Sequence, residues 1–396
     1  MEVRKYPQLV KYMGSKAKII KFVSESIESV YQGGVVCDLF AGSCNLSGAL
    51  GGIYPIHSND IQSYSELLSS IYLKPISSIN AEEILCEADV IYKRVKSNIS
   101  LDLEYTKFNC LDSFNSIEKK NRDLIEESFS HEYHLFLKNY SGTWWSSEQC
   151  IWIDAIKQVI DNKIKSGKWR QAEYAFSMSI LMHSMAYTSQ GTGHYAQYRD
   201  AKTISSMTDI NIYRQKDVPS IFLKKFNQLK EWGRDNVVDL GHTMSTADYE
   251  SCLNTIDKGT VYADPPYAFV HYSRFYHAME TICLYDYPNI QVKNGIFVKG
   301  RYREERHQSP FCIKTKVEYA FERLFSGVST NNLNLALSYS NAAMISIEKL
   351  LEISDRIIGD KYNIWVEDTD HHHMTMGRKN DRQREVKELI LLARRK

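Results

Sequence analysis

Four short runs of apolar and β-branched residues lie near the two ends of the chain, and each leads into a polar turn. They cover residues 35–40 (VVCDLF), 54–58 (YPIHS), 260–262 (TVY) and 333–339 (LNLALSY). Strands without polar alternation are typical of parallel sheets that helices cover on both faces. We therefore predict an α/β protein with a doubly wound mixed sheet, whose last strand includes residues 388–392 (ELILL).

Helical periodicity separates these predicted strands. Apolar residues recur at helical spacing over residues 16–31, and further helices are predicted over residues 46–52 and 317–328. Residues 236–240 (NVVDL) and 246–253 (TADYESCL) have the composition of strands. Strands that alternate with helices indicate βαβ units.

The middle of the chain has a different character. Residues 76–235 consist of charged helical segments with little that resembles a buried parallel strand. We predict that residues 1–75 and 236–396 build the sheet domain together, and that residues 76–235 form an inserted, mainly helical domain.

Composition narrows the class of protein without naming its partner. The 396 residues are 43% hydrophobic and 24% charged, and the net charge of +1 means that any contact with nucleic acid must use local basic patches. No stretch approaches the roughly 18 apolar residues of a membrane span, and the first residues lack the apolar core of a secretion signal. Eight scattered cysteines suggest neither disulfides nor a zinc site, so we expect a cytoplasmic, reducing location.

A rigid turn follows the run at 260–262. It consists of Asp264, Pro265, Pro266 and Tyr267. Neither proline can donate to a sheet, and each holds the preceding residue in an extended conformation. The turn therefore fixes a carboxylate, bare carbonyl groups and an aromatic ring at the end of a strand, where open α/β sheets bind ligands. A simple packing turn remains an alternative on this motif alone.

The run at 35–40 leads into a glycine-containing turn, with Asp38, Gly42 and Ser43, and then a helix. Asp60 follows Asp38 by 22 positions and ends the next predicted strand. An acidic residue at that position is suited to accept hydrogen bonds from ribose hydroxyls. This pairing predicts a nucleotide-type crevice, with a purely structural turn as the alternative.

Residues 187–199 form a polar, glycine-punctuated loop. Side chains of the types found there read base edges and hold phosphates. The candidate DNA contacts in this loop and after the proline turn are Thr192, His194, Tyr195, Tyr198, Arg199, Tyr272 and Arg274. An ordinary surface loop is the alternative. The basic run at 213–234 is either a patch that contacts phosphates or a solvated helix face. The histidines at 371–373 are interpreted as a polar loop and not a metal site, because consecutive side chains point in different directions.

These motifs together resemble the N6-adenine-specific DNA methyltransferases of the Dam-like, class α kind. The resemblance rests on KYMGSK at 11–16, DLFAGS at 38–43, Asn59-Asp60 and DPPY at 264–267. Three longer segments are similar to the branch that accompanies restriction systems with asymmetric sites: 187–199, 264–281 and 337–341. Motif order matches as well as motif content over most of the chain. Cys44 departs from the pattern, since the family often has glycine there.

The resemblance implies an S-adenosylmethionine-dependent methyltransferase fold, with residues 76–235 as a target-recognition domain. S-adenosylmethionine would be the cofactor, with no metal and no membrane. Tyr12 and Lys16 would line its methionine end, the lysine facing the carboxylate. Further cofactor-binding residues would be Asp38, Phe40, Gly42, Ser43, Asp60, Asp248 and Tyr249. Duplex DNA would be the substrate, and a cognate restriction endonuclease encoded nearby would be a further partner.

The implied chemistry gives each residue of the proline turn a role. The Asp264 carboxylate and the Pro265 carbonyl would accept the two amino hydrogens of adenine, which stabilises positive charge on that nitrogen. Pro266 would help to fix these acceptors in advance. Tyr267 would stack on a base rotated out of the duplex.

Other classes of function stay open at this point. The acceptor could be RNA adenine, or a protein glutamine, although glutamine-modifying relatives carry Asn in place of Asp264. A non-catalytic DNA-binding relative would be expected to have lost Asp60, Asp264 or Tyr267, and all three are present.

Overall fold

A seven-stranded mixed sheet forms the centre of the protein. The computed structural model describes residues 3–99, 104–191, 193–266, 271–340, 343–373 and 384–396. The strands of the sheet are β1 (Val35–Asp38), β2 (Ile56–Asp60), β3 (Thr243–Thr246), β4 (Gly259–Ala263), β7 (Asn334–Ser340), β8 (Tyr362–His373) and β9 (Arg384–Arg395). A separate hairpin pairs β5 (Val292–Lys293) with β6 (Ile296–Phe297).

The strand order is β3-β2-β1-β4-β7-β9-β8. The first five strands in this order are parallel, whereas β9 runs antiparallel to both β7 and β8. The chain moves outward from β1 to β2 on one side and from β4 to β7 on the other. The carboxyl ends of β1 and β4 therefore flank the point where the order reverses, which is where such sheets form a crevice.

Helices cover both faces of this sheet. The α-helices are α1 (Ile20–Val30), α2 (Asn45–Leu50), α3 (Ser63–Leu73), α4 (Ala81–Ser97), α5 (Leu111–Asp123), α6 (Leu135–Tyr140), α7 (Ser147–Lys165), α8 (Gln171–Thr188), α9 (Ile204–Arg214), α10 (Val218–Asn236), α11 (Tyr249–Leu253), α12 (Tyr272–Phe275), α13 (His277–Leu284), α14 (Val317–Thr330) and α15 (Ile347–Ile358). Short 3-10 turns occupy Lys16–Lys18, Leu124–Glu126 and Pro310–Cys312.

Neighbouring residues of the central strands belong to different cores. Val36 and Tyr262 pack with α1, α3 and the helices of the middle region, whereas Cys37 and Val261 pack with α11, α14 and α15. Side chains of a strand alternate between its two faces, so both faces of the sheet are buried. This arrangement confirms the predicted doubly wound α/β class and explains why the strands lack polar alternation.

Residues 76–235 are mainly helical, as predicted, and their largest core is continuous with that of the sheet. The Ser179 hydroxyl of α8 donates to the Leu67 carbonyl of α3 at 2.9 Å, and the His183 ring lies 2.6 Å from the Leu9 carbonyl oxygen. A smaller cluster around Phe114 joins α5 to α9. The division into separate domains stays a prediction.

The strand predictions over 236–240 and 246–253 were wrong in detail. Asn236 ends α10, and the observed strand β3 covers Thr243–Thr246 instead. The Asp248 carboxylate then accepts hydrogen bonds from the Glu250 and Ser251 amides at 3.1 and 3.0 Å. Side-chain capping of this kind starts a helix, so α11 replaces the expected strand.

Among the described residues, no helix combines the length and apolar character needed to cross a membrane.

Gly34 sets the spacing between β1 and β4, and its replacement tests that packing. Its φ is +86°, and an added Cβ would lie 2.3 Å from the Lys258 carbonyl oxygen. We expect Gly34→Ala to lower the free energy of unfolding by about 3 kcal/mol, through left-handed strain and overpacking together. Gly167 is a matched control, because its φ is +71° and its added Cβ would meet nothing within 4 Å. Gly167→Ala should cost about 1 kcal/mol in chemical denaturation; equal losses at both sites would contradict the packing argument.

Candidate active site

A cavity of about 660 Å³ opens at the carboxyl ends of β1, β2 and β4. Its lining comes from the N-terminal segment 12–16, the turn after β1, the start of α11, the residues after β4 and the segment 307–310. This volume lies within the range of small-molecule sites, and the location is the crevice that the strand order predicts. The structure therefore brings the separate sequence motifs to one place.

Tyr12 and Gly42 form one wall of the cavity. Gly42 has φ of +51°, and an added Cβ would lie 2.9 Å from the Tyr12 ring. That ring stacks on Tyr276 with centroids 4.3 Å apart and on Tyr272 at 5.7 Å. Because only glycine combines this backbone conformation with such a close approach, the turn after β1 can lie flat under the cavity. Tyr12 and Gly42 both line it, as expected.

Asp60 is positioned by backbone groups on both sides. Its carboxylate accepts hydrogen bonds from the Gly42 and Gln62 amides, each at 2.9 Å. Burial raises the pKa of Asp60 to about 6, although these two amides oppose the shift. The side chain is held in one orientation at the end of β2, facing the cavity.

Asp264 lies at the end of β4 and pairs with Lys16. The Lys16 ammonium is 3.1 Å from the Asp264 carboxylate and also forms an ion pair with Glu388 of β9. The side chains of Lys16 and Asp264 are only 7% and 18% exposed. Lys16 pairs here with two carboxylates of the chain itself, as buried charges need such partners. Its expected contact with the carboxylate of a bound cofactor stays a prediction.

Asp38 places another carboxylate in the cavity lining, near Asp60 and Asp264. Burial raises its pKa well above the usual range, and the negative charges of Asp264 and Asp60 raise it further. Asp38, Asp60 and Asp264 therefore lie close enough to influence one another, and Lys16 in the same lining is already paired with Asp264. A cationic ligand would relieve this repulsion.

Aromatic rings form the opposite wall. Phe40 stacks on Tyr249 with centroids 6.0 Å apart and contacts Phe311 edge-on at 5.5 Å. The Tyr249 hydroxyl donates to Glu250 at 3.2 Å. Asp248 lines the same side, but its carboxylate is engaged in capping α11. The aromatic surface suits a flat ring such as a purine.

Ser43 and Asn45 complete the turn after β1. The Asn45 amide donates to the hydroxyls of Ser43 and Ser15, each at 2.9 Å. These bonds tie the turn to the N-terminal motif, and Ser43 lines the cavity.

Cys44 does not crowd the cavity. Its φ is +60°, and its thiol points toward α3, where it donates to the Ser65 carbonyl at 3.1 Å. The residue is fully buried and is absent from the lining. The departure from the family pattern is therefore accommodated by turning the side chain away from the site.

Pro265 and Pro266 also line the cavity. The Pro266 carbonyl accepts a hydrogen bond from the Cys312 thiol at 3.5 Å, which attaches the turn to the 3-10 segment Pro310–Cys312. Tyr267 lies outside the described residues, so its stacking role stays a prediction.

The structure divides the candidate DNA contacts. Tyr195 is 2% exposed and packs against Trp144 and Trp145, so its ring cannot reach a base in this conformation. His194 packs edge-on against Phe275. Tyr195 of this loop points inward, because its ring fills part of the core between α7, α8 and α13.

Tyr198 and Arg199 are more accessible than Tyr195, and Thr192 lies outside the described residues. The ammonium of Lys299 lies over the Tyr198 ring at 5.1 Å, and Arg199 forms an ion pair with Asp209 at 2.6 Å. Tyr272 lines the cavity directly.

Arg274 and Arg306 share one aromatic ring. Their guanidinium carbons lie 5.0 and 4.9 Å from the centre of the Tyr302 ring, and Arg274 also donates to the Tyr302 hydroxyl at 2.8 Å. Among the described residues, neither arginine forms a salt bridge, in contrast to Arg303, which pairs with Asp286 at 2.6 Å. Both adjoin the lining segments 271–273 and 307–308. Within the described part of the chain, they place positive charge without a salt-bridge partner beside the cavity.

The sequence reasoning missed three contributors to this site. Glu388, Arg306 and Tyr276 were not candidates, although Glu388 and Tyr276 lie in segments 388–392 and 264–281 of the sequence analysis. The available signal for Glu388 was an acidic residue within an otherwise apolar strand. A carboxylate that is buried in this way needs a partner. No local signal pointed to Tyr276, whose hydroxyl accepts a hydrogen bond from the Met13 amide at 2.6 Å.

No group of three or more metal-ligating side chains is found among the described residues. The side chains at 371–373 are not described, and the polar-loop prediction was wrong for their backbone, because these residues end β8 and pair with β9.

Comparison with known proteins gives one family and several distant relatives. The model of the D12 class N6 adenine-specific DNA methyltransferases matches residues 12–353. The chain is 25% identical over 353 residues to modification methylase LlaI of Lactococcus lactis subsp. lactis, which covers 89% of this chain and 49% of that protein. It is 23% identical over 347 residues to type II methyltransferase M.FokI of Planomicrobium okeanokoites, covering 87% of this chain and 46% of that protein.

A third relative is similar in length. Type II methyltransferase M.NlaIII of Neisseria lactamica is 23% identical over 363 residues, with 89% of each chain covered. The chain thus spans about half the length of the first two relatives and most of the third.

Cys44 allows a test of how strain in the turn after β1 is tolerated. Both Cys44→Gly and Cys44→Ala remove the thiol contact with Ser65. Only the glycine variant also removes the strain of the left-handed backbone conformation, which alanine keeps. We expect the glycine variant to be more stable than the alanine variant by about 1 kcal/mol in thermal or chemical denaturation. At a position without positive φ the order is reversed, because glycine loses more entropy on folding. An alanine variant that equals or exceeds the glycine variant would contradict the strain.

Proposed function

The chain belongs to the D12 class of N6 adenine-specific DNA methyltransferases, and on that premise we propose that it transfers a methyl group from S-adenosylmethionine to the N6 amino group of adenine in duplex DNA. The observation that carries this proposal is the position of Asp264. Its carboxylate lies at the end of β4, next to two prolines and in a cavity lining that also includes Asp38 and Asp60. The proposal covers the activity of the whole protein, whose first two relatives are about twice as long.

The residues of the cavity fit S-adenosylmethionine. Asp60 presents a fixed carboxylate to ribose hydroxyls, and Phe40 and Tyr249 present ring faces to a purine. The repulsion among Asp38, Asp60 and Asp264 favours a ligand with positive charge, which a sulfonium carries. The bound cofactor supplies the methyl group and its leaving group. The chain's own residues hold it, orient it and exclude water.

The acceptor side depends on hydrogen-bond acceptors that are fixed before the substrate arrives. An adenine amino nitrogen is a poor nucleophile, because its lone pair is delocalised into the ring. The Asp264 carboxylate and the Pro265 carbonyl would each accept one amino hydrogen and would stabilise the positive charge that develops on nitrogen. The prolines limit reorganisation, so these acceptors are already in place.

Rotation of the target base out of the duplex is part of the proposal. The N6 group inside a base stack cannot approach a closed cavity, and extrusion of the base costs a few kcal/mol of stacking and pairing. Tyr267 would recover part of that cost by stacking on the base, as its place after Pro266 suggests.

Arg274 and Arg306 support an approach of DNA toward the segments 271–273 and 307–308. Two guanidinium groups on one tyrosine ring, without salt-bridge partners among the described residues, are suited to a phosphodiester. In this proposal, the DNA backbone beside the target base contacts Arg274 and Arg306. Reading of the target sequence by the helical region is a further part of the proposal. A cognate endonuclease encoded nearby is another, and the name of modification methylase LlaI is in keeping with it.

Asp264→Ala tests the catalytic assignment. We expect the rate of methyl transfer to fall by at least about 100-fold, because one preorganised acceptor is lost. Affinity for S-adenosylmethionine in calorimetry should be largely preserved, since Asp38, Asp60, Phe40 and Tyr249 remain in the cavity lining. The exposed Asp257 is a matched control, and Asp257→Ala should behave as wild type. Transfer by Asp264→Ala at the wild-type rate would refute the mechanism.

Arg306→Gln tests the path of the DNA backbone. If Arg306 contacts one phosphate, the slope of log affinity against log salt should become shallower by about 0.9. Arg303→Gln is the matched control, because Asp286 already neutralises that arginine and its removal should leave the slope unchanged. Equal slopes for wild type and Arg306→Gln would show that the DNA takes another path.

A further inference from the structure

Glu388 connects the last strand of the sheet to the catalytic carboxylate through Lys16. Its side chain is fully buried on β9, where it accepts a hydrogen bond from the Ser338 hydroxyl at 2.7 Å and pairs with the Lys16 ammonium. The same ammonium lies 3.1 Å from Asp264. Glu388 lies beyond the segment 12–353 that the family model matches.

We propose that Glu388 is a positioning residue that keeps Lys16 from neutralising Asp264, and so preserves a net negative charge where the amino group reacts. This inference rests on the proposed methyl transfer and assigns a role within it to a residue beyond the segment that the family model matches. Glu388 acts through Lys16; Asp264 is the group that would touch the substrate.

Charge balance shows why one carboxylate is not enough. Of these three described charges, Lys16 and Asp264 alone sum to zero, whereas Lys16, Asp264 and Glu388 together sum to −1. The adenine nitrogen becomes positive as the methyl group arrives, so a site with net negative charge stabilises that state more than a neutral site does. Because the side chains are largely buried, water screens this difference only weakly.

Stability alone does not account for the second carboxylate. Asp264 already provides Lys16 with one opposite charge, and burial of a further ion is costly unless something compensates for it. The compensation here is local and rigid: Ser340 pairs with Glu388 across β7 and β9, and the Ser338 hydroxyl fixes the carboxylate. A strand that is otherwise apolar at Ile390, Leu391 and Leu392 thus holds one charged group against the site.

Other titratable groups face this cluster as well. Tyr262 on β4 is buried near it, and burial together with the negative charge of Asp264 raises the pKa of Tyr262 well above its usual range. Asp38 on β1 is close enough for Asp264 to raise its pKa. Neither is replaced in the experiment, so their influence is the same in every variant.

The central experiment compares single-turnover methyl transfer in Glu388→Gln with wild type. Glutamine keeps the size of the side chain and can still accept from Ser338, but it removes the charge. We expect the rate constant to fall by about 10- to 100-fold, with affinities for S-adenosylmethionine and duplex DNA within about threefold of wild type. Single-turnover conditions are needed because product release otherwise masks the chemical step.

A double variant separates charge from structure. In Lys16→Met with Glu388→Gln, Asp264 again provides a net charge of −1, so this protein should be faster than Glu388→Gln alone at about pH 8.5, well above the usual pKa of aspartate. A purely structural role predicts the opposite, since two buried changes should be worse than one. A double variant that is as slow as Glu388→Gln, or slower, overturns the proposal.

Glu173→Gln is the matched control for loss of a buried carboxylate. Glu173 is 2% exposed, pairs with Arg170 and lies away from the cavity lining. It should lose stability without loss of the single-turnover rate. Ser338→Ala replaces Glu388→Gln if the circular dichroism melt shows that the latter does not fold. Loss of the Ser338 hydroxyl leaves the Glu388 carboxylate less firmly placed, so the rate should fall by about two- to fivefold. An unchanged rate in Ser338→Ala would count against the proposal.

The two proposals fail in distinguishable ways. If wild type does not methylate adenine, the proposed function is wrong. If wild type methylates adenine and folded Glu388→Gln does so at the same rate, only the role of Glu388 is wrong.

Discussion

The ion pairs of Lys16 join three parts of the chain that are far apart in sequence. The lysine belongs to the N-terminal segment, Asp264 ends β4, and Glu388 lies on β9. Charges that are removed from water are tolerated only when they are paired and held in good geometry. The position of this one ammonium therefore constrains the N-terminal segment, the central parallel strand and the antiparallel strand together, and the shape of the cavity follows from that constraint.

Strand order explains why the acidic residues meet. β1 and β4 are neighbours, β2 lies beside β1, and all three are parallel, so Asp38, Asp60 and Asp264 emerge at the same edge. Repulsion among these carboxylates would be reduced by a cationic ligand. The topology is thereby linked to the kind of cofactor proposed, because the same carboxylates would stabilise a sulfonium.

Sequence reasoning predicted the parts of the structure that depend on local pattern. Apolar runs without alternation identified β1, β4 and β7, and the spacing from Asp38 to Asp60 placed an acid correctly at the end of β2. It did not find the partner of Lys16, because periodicity contains no information about contacts between residues 372 positions apart. Tyr195 was a candidate DNA contact, and local sequence contains no information about its packing against Trp144 and Trp145. The helix after β3 was missed because one capping aspartate outweighed a weak strand propensity.

The identity of the methylated atom tests the central claim most directly. Duplex DNA would be incubated with the protein and S-adenosylmethionine carrying a deuterated methyl group, then digested to nucleosides for mass spectrometry. The account predicts that the label appears in N6-methyldeoxyadenosine and that a sample without protein lacks it. Label in a cytosine nucleoside, or no label in DNA although the protein binds the donor, would contradict the account.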